Sequence, residues 1–169
     1  METQAFPLDP WEAKMIKYTA DISHITAEML DGDFPGQNVG NEKTGSSRFF
    51  QGWPNPPSPA THLRILQGAY IAWVAIDTTT NKVVGFINAV SDGVLSAYIP
   101  LLEVLPAYQK QGIGGELVSH MLDSLKDLYM IDLLCDVDMQ GYYAKRGMHK
   151  ATGMLARNYH RQNGEGDTL

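Results

Sequence analysis

Gln109-Lys110-Gln111-Gly112-Ile113-Gly114-Gly115 carries the densest chemical signal in the chain. Its glycines fall between an apolar run and a stretch with helical spacing, which makes a strand-loop-helix unit. Where a helix begins, the first four amides have no acceptor inside the helix, and the terminus carries about half a positive charge. Glycine there lets a phosphate approach the main chain closely, and Lys110 adds one local charge. The same glycines also suit a plain tight turn, and both readings stand on spacing alone. Two nucleotide fingerprints are excluded. Leu117 occupies the last position of G-x-G-x-x-G counted from Gly112, and no G-K-[ST] closes a P-loop. Just upstream, Glu103 is the lone charge in Pro100-Leu101-Leu102-Glu103-Val104-Leu105. A carboxylate in such a strand is costly unless used or paired; the other reading is an outward-facing residue on a half-buried strand.

Elements must position these groups. Trp11, Met15, Tyr18, Ile22, Ile25 and Met29 recur at steps of three and four, which predicts an amphipathic helix over 10–30, or two short ones. Asp9 can cap it, Pro10 suits its first turn and Gly32 can stop it. Between 31 and 60, ten of thirty residues are glycine or proline, so periodicity gives way to a long loop. It contains Phe34, Phe49, Phe50 and Trp53; disordered segments are poor in aromatics, so it reads as a folded flap, or as aromatics anchoring a loop to the core.

Ser58-Pro59 starts a short helix that Gly68 closes. The runs 69–76 and 82–90, rich in valine, isoleucine and aromatics, flank Asp77-Thr78-Thr79-Thr80-Asn81 and read as a hairpin. A third strand spans 95–105, with a bulge expected at Pro100. Ile113, Leu117, Val118, Met121, Leu122, Leu125 and Leu128 mark the clearest helix. A short strand at 130–135, a short helix at 139–146 stopped by Gly147, and a last strand after Met148 follow. Three consecutive strands before the long helix make a meander feeding one crossover, not a repeating strand-helix fold.

With 169 residues, 44% hydrophobic and 19% charged, the chain has enough apolar content for one domain with a core. One cysteine gives neither a disulfide framework nor a thiolate zinc site, and no metal is expected. The formal charge of -6 disfavours a general nucleic-acid binder. No apolar run approaches the roughly 18 residues that span a bilayer, and Met1 to Trp11 lacks a signal-peptide layout, so a cytoplasmic protein is expected.

Gln109-x-x-Gly112-x-Gly114 resembles the acetyl-CoA-binding signature of the GNAT superfamily of N-acetyltransferases, which runs Arg or Gln, two residues, Gly, one residue, Gly or Ala. Glu103-Val104-Leu105-Pro106-Ala107-Tyr108 resembles the end of that family's fourth strand. Tyr142-Tyr143-Ala144-Lys145-Arg146-Gly147-Met148 resembles its aromatic-Tyr-x-Lys-x-Gly-Phe motif, in the expected order and spacing. The resemblance covers about 58–148 and is weak over the N-terminal third. Gln109 replaces the commoner arginine and leaves less charge near the pyrophosphate. Met148 replaces phenylalanine, and Asp136 stands where many members have asparagine, within Leu133-Leu134-Cys135-Asp136, a variant similar to that of some bacterial members.

The resemblance implies a three-layer α/β (α+β) fold: a mixed, mostly antiparallel sheet with a splayed central strand pair and helices on both faces. It implies one acetyltransferase domain over 1–160, with an active-site flap at 31–57 and an acetyl-CoA-binding core at 95–148; the polar composition of 161–169 reads as a flexible tail. Val104, Leu105, Gln109, Lys110, Gln111, Gly112, Ile113, Gly114, Gly115 and Asp136 are the implied acetyl-CoA contacts. Partners would be acetyl-CoA and an amine acceptor, with no nucleic acid, no membrane and a homodimer left open.

In that family an amine attacks the thioester directly. The enzyme must take a proton from an ammonium with pKa near ~10, stabilise an oxyanion, and protonate a thiolate whose acid has a pKa of about 8.5. Tyr143 matches the family's general acid, while Tyr142 reads as packing. Glu103 is the best candidate base, directly or through a water, with Asp136, Tyr98 and a flap residue behind it. Phe49, Phe50 and Trp53 could stack on an amine, and Asp31, Asp33 and Glu42 attract one, or all six are unrelated positions. His120 reads as solvent-facing and Cys135 as a buried core thiol.

Overall fold

Strand-forming residues cluster in the middle of the chain, and the sheet is built there. The computed structural model describes residues 15–32 and 49–165. β2 (Ile71–Asp77) and β3 (Lys82–Ser91) pair antiparallel as the expected hairpin, and β4 (Ser96–Val104) continues the meander on β3. Asn81, at φ 55°, takes the left-handed turn position, which asparagine tolerates better than most residues. β5 (Met130–Asp132) adds in parallel to β4, giving the order β1-β2-β3-β4-β5 with β1 at Ile16–Thr19.

β1 corrects the expected N-terminal helix. Ile16 to Thr19 lie opposite Asp77 to Val74 as an antiparallel edge strand, and only α1 (Ala27–Leu30) is helical. Tyr18 fits a helical stripe on paper. However, an open β2 edge offers four residues of ladder, which local periodicity cannot register. The residues assigned to the start of that helix lie outside the described residues, as does the loop from 33 to 48.

At Pro100 the expected bulge is present. Asn88 pairs with Leu101 and Val90 with Tyr98, so β4 takes three steps where β3 takes two. Proline cannot donate to a ladder, and the extra residue bends the strand. β4 and β5 pair only from Ser96↔Met130 to Tyr98↔Asp132. Beyond Pro100, β4 runs on to Val104 with no strand on its β5 side among the described residues. The two strands splay apart there, but β5 is the edge strand of the described sheet, so the splay lies at its edge and not between central strands as expected.

Alternation along β3 assigns the faces. A Cβ on Gly85 would lie 3.1 Å from Leu117 and 3.3 Å from Ile113, so that face packs on α3 (Ile113–Ser124). The next residue, Phe86, points the other way and meets His62 of α2 (Pro59–Gln67) at 4.3 Å between ring centroids. Helices thus cover both faces. α2 starts as expected, with the Ser58 hydroxyl accepting from the Thr61 amide, and Gly68 closes it.

Phe49 and Phe50 are buried to 1% and 2% exposure around Phe86 and His62. They anchor the end of the loop to the core and are not free to stack on an amine. His120 is also corrected: its ring stacks on Trp73 at 4.3 Å and 11° and approaches Tyr18 at 5.4 Å, tying α3 to β1 and β2. Among the described residues no strand forms after Met148. Residues 149–158 are exposed and without regular structure, Met154 at 98%, since no neighbouring strand pairs with them. Residues 161–165 touch α2 and the loop before it: the Asn55 amide donates to Gln162 at 2.9 Å, and a Cβ on Gly164 would lie 2.9 Å from Thr61.

Candidate active site

The loop that enters α3 is shaped by its own side chains. After β4, Leu105 turns into a single 3-10 turn, Pro106–Tyr108. Tyr108 is buried and donates its hydroxyl to Asp77 at 2.6 Å, fixing the loop to the hairpin. Burial, the Asp77 hydrogen bond and the Asp77 charge all raise the Tyr108 phenol well above its ordinary range. For Asp77, burial is the largest influence and pushes upward. The hydrogen bonds from Thr79, Tyr108 and Thr80 outweigh it, so the net shift is down.

Gln109 donates its side-chain amide to the Val104 carbonyl at 2.9 Å, and Gln111 donates to the Ala107 carbonyl at 3.0 Å. Lys110 and Gly112 take left-handed backbone, φ 60° and 87°. Gly112 is the N-cap of α3 and offers no side chain, and the first bond of the helix runs from the Glu116 amide to the Gly112 carbonyl. The amides of Ile113, Gly114 and Gly115 therefore have no acceptor within the helix.

α4 (Gln140–Ala144) packs against this terminus. A Cβ on Gly114 would lie 3.2 Å from the Tyr142 hydroxyl, and one on Gly115 would lie 2.6 Å from Arg146 Nη2. The absent side chains thus admit α4 as well as a ligand. Arg146 sits 3.8 Å over the Tyr142 ring and donates Nη1 to the Tyr142 carbonyl at 2.8 Å. A cavity of about 370 Å³ opens here, lined by Leu102, Val104, Gly112, Gly114, Tyr142 and Arg146 among others.

A second cavity, of about 200 Å³, lies at Gln51, Glu103 and Pro106 and shares Leu102, Val104 and Gln109 with the first. Glu103 is half-buried. Its Oε2 accepts the Phe50 amide at 2.7 Å. Burial pushes the carboxyl up, and the Phe50 hydrogen bond pulls it back only in part. Phe50 holds φ 60°, which is rare for a bulky residue. That conformation aims its amide at Glu103 while its ring enters the core.

Tyr143 is half-buried and lines neither cavity. Burial, then Tyr142 and Cys135, raise its phenol to about 12 against a downward pull from Arg146. Tyr142 stands edge-on to it at 5.1 Å. Asp136 and Lys110 are exposed and Tyr98 is half-buried; Cys135 is half-buried too, not a core thiol. Of the residues read as acceptor contacts, Trp53 is 37% exposed and Asp31 half-buried, while Asp33 and Glu42 lie outside the described residues. Sequence reading missed Arg146, Gln51 and the Tyr108–Asp77 pair. A signal existed for Arg146, which follows Tyr142 by four residues and so falls one turn on, in the turn that closes α4; the other contacts join distant segments.

Comparisons with known proteins agree with this architecture. The family model described as acetyltransferase (GNAT) family matches residues 41–148. A candidate acetyltransferase from Deinococcus radiodurans R1 is 38% identical, with 91% of this chain and 95% of that one covered and a TM-score of 0.77. A GNAT family acetyltransferase from Streptococcus pneumoniae TIGR4 is 26% identical over 85% of this chain and 97% of its own, with a TM-score of 0.59. Glucosamine-6-phosphate N-acetyltransferase from Arabidopsis thaliana shares the fold at 14% identity, 85% and 97% coverage and a TM-score of 0.55. No curated protein matches the chain. The splayed sheet, the uncapped glycine terminus at its opening and a family match over most of the chain converge, and the protein belongs to the GNAT acetyltransferase family as an acyltransferase.

Proposed function

We propose that this protein transfers the acetyl group of acetyl-CoA directly to a primary amine of a small molecule or peptide. The observation that carries the reading is the pair of cavities meeting at the end of β4. Unpaired helix-terminal amides lie in one, a half-buried carboxylate lies in the other, and Leu102, Val104 and Gln109 belong to both. The glycine terminus fits a CoA pyrophosphate. Gly112, Gly114 and Gly115 keep the main chain bare, and anions are favoured at a helix N-terminus. Lys110, Gln111 and Ile113 complete that loop, and Val104 at the end of β4 lines both cavities, where the pantetheine arm would lie; Leu105 is buried with its amide on the Val84 carbonyl, and Asp136 lines neither cavity.

When bound, acetyl-CoA supplies an activated thioester. Glu103 accepts the proton of the incoming ammonium, directly or through a water. Its raised pKa brings it closer to working pH, which improves a base. Tyr143 returns a proton to the departing sulfur. At about 12 its phenol stays protonated at neutral pH and serves as a donor. The -6 charge favours a cationic acceptor. A lone cysteine suits a reducing compartment, so we place the protein in the cytoplasm.

The test is CoA release across a panel of primary amines, with Tyr143→Phe and Tyr142→Phe compared. Tyr143→Phe is expected to slow turnover by about 10²-fold, the lower end for general acid catalysis, while acetyl-CoA affinity stays within about threefold. Acetyl-CoA binding without release for any amine would sink the catalytic reading. Full activity in Tyr143→Phe would remove that residue from the chemistry.

A further inference from the structure

We propose that Arg146 binds the pyrophosphate of acetyl-CoA, its guanidinium completing the anion site that the loop amides begin. This inference rests on the acetyl-CoA reading above and adds to it a residue from the turn that follows α4. Arg146 lines the same cavity as Lys110, Gly112, Gly114 and Gly115, and its Nη2 occupies the space beside Gly115 that any other residue's Cβ would fill. A guanidinium at the positive end of α3 is electrostatically unfavourable by itself. Among the described residues the only ion pair is Lys126–Asp123, so no carboxylate within 4 Å compensates Arg146. The Tyr142 ring and carbonyl orient the group and use Nη1, but they bring no full negative charge. A planar fork with five donors matches a phosphate well. Gln109 is neutral and cannot supply the charge, and one of its amide protons is taken by the Val104 carbonyl. Two positive features that repel each other in the free protein are both satisfied by one anion between them. On this view Gly115 is glycine so that Arg146 can reach the terminus.

Calorimetry of the full chain with acetyl-CoA and with its 3'-dephospho form tests the assignment, with inorganic pyrophosphate as competitor. Arg146→Gln is expected to weaken both CoA ligands alike, by about ten- to a hundredfold, the range for a charge-assisted hydrogen bond. The inhibition constant of pyrophosphate should rise in parallel, and Arg146→Lys should recover part of the loss. Gly115→Ala, which puts a methyl in the guanidinium's space, is expected to weaken binding as well and to add no further loss in the Arg146→Gln background. It also serves as the test if Arg146→Gln fails to fold. Unchanged affinity in Arg146→Gln, a loss confined to the ligand carrying the 3'-phosphate, or a Gly115→Ala effect equal in both backgrounds overturns the inference alone. An unsubstituted protein that binds no acetyl-CoA overturns the proposed function, and this inference with it.

Discussion

Replacing Glu103 by glutamine separates what this carboxylate does for the fold from what it does in the reaction. In the fold it accepts the Phe50 amide at 2.7 Å and holds a phenylalanine at φ 60°. Glutamine has nearly the same shape, and its carbonyl can accept the same amide. The substitution trades a charge-assisted hydrogen bond for a neutral one, a loss of about 1 kcal/mol, but it also removes the desolvation that raises the Glu103 pKa. The sign follows from proton linkage. A carboxyl whose folded pKa exceeds its unfolded value binds more protons when folded, so it costs stability as pH rises through that window, and the cost is complete above the folded pKa. The two effects oppose each other. Glu103→Gln should therefore melt within about 4 °C of the unsubstituted protein at pH 7, the shift that about 1 kcal/mol produces in a domain of this size. Glu103→Ala removes the acceptor altogether and leaves the Phe50 amide unpaired, at a cost of about 1–3 kcal/mol, so its melting temperature should fall clearly. The reaction should respond in the opposite order of subtlety: Glu103→Gln loses general base catalysis, worth about 10²–10⁴-fold. The assay is CoA thiol release against pH with an amine found by screening. The unsubstituted enzyme should show an acid limb above the ordinary carboxylate range, and the variant should lose it. Glu103→Gln with activity within twofold of the original, or with an unchanged acid limb, refutes the assignment of the base; a large drop in melting temperature refutes the argument that glutamine preserves the loop.

Two further expectations concern buried polar groups. Tyr108→Phe leaves Asp77 without its 2.6 Å partner and should lower stability by about 1–3 kcal/mol at neutral pH; because Asp77 is held below its ordinary value, its contribution is present above the unfolded carboxyl pKa and fades as pH falls through the folded one, so the penalty should shrink in acid melts. A penalty independent of pH would contradict the pairing. His62 is fully buried with neither ring nitrogen hydrogen-bonded, and burial lowers it to about 3. The folded state binds fewer protons than the unfolded one between about 6.5 and 3, so stability falls on acidification across that window. His62→Leu should flatten this fall, and identical melting-temperature slopes for the two proteins from pH 7 to pH 4 would exclude His62 as its source.

Much of this was legible locally. Gln109 to Gly115 announces a bare helix terminus because glycine spacing is a backbone property, and Ser58, Gly68, Asn81 and Pro100 each mark a boundary through their own stereochemistry. The meander and its crossover helix followed from local residue types and spacing. Other features depend on partners distant in sequence. Ile16 to Thr19 become a strand because β2 has a free edge, and no window of the N-terminal sequence contains that edge. A strand after Met148 looked reasonable and found no neighbour. Phe49 and Phe50, open to two readings as part of a loop, are core residues because Phe86 of β3 and His62 of α2 pack against them on one face of the sheet. The same holds for charge. The identity of Glu103 is written in the chain, but its raised pKa comes from burial and from an amide 53 positions away. Arg146 reads as one basic residue in a motif until the turn after α4 lays it across Gly115. Sequence determined which groups could do chemistry, since that resides in residue type and short spacing. The tertiary structure decided which of them share a cavity and at what protonation, since desolvation and Coulomb interaction depend on distance through space.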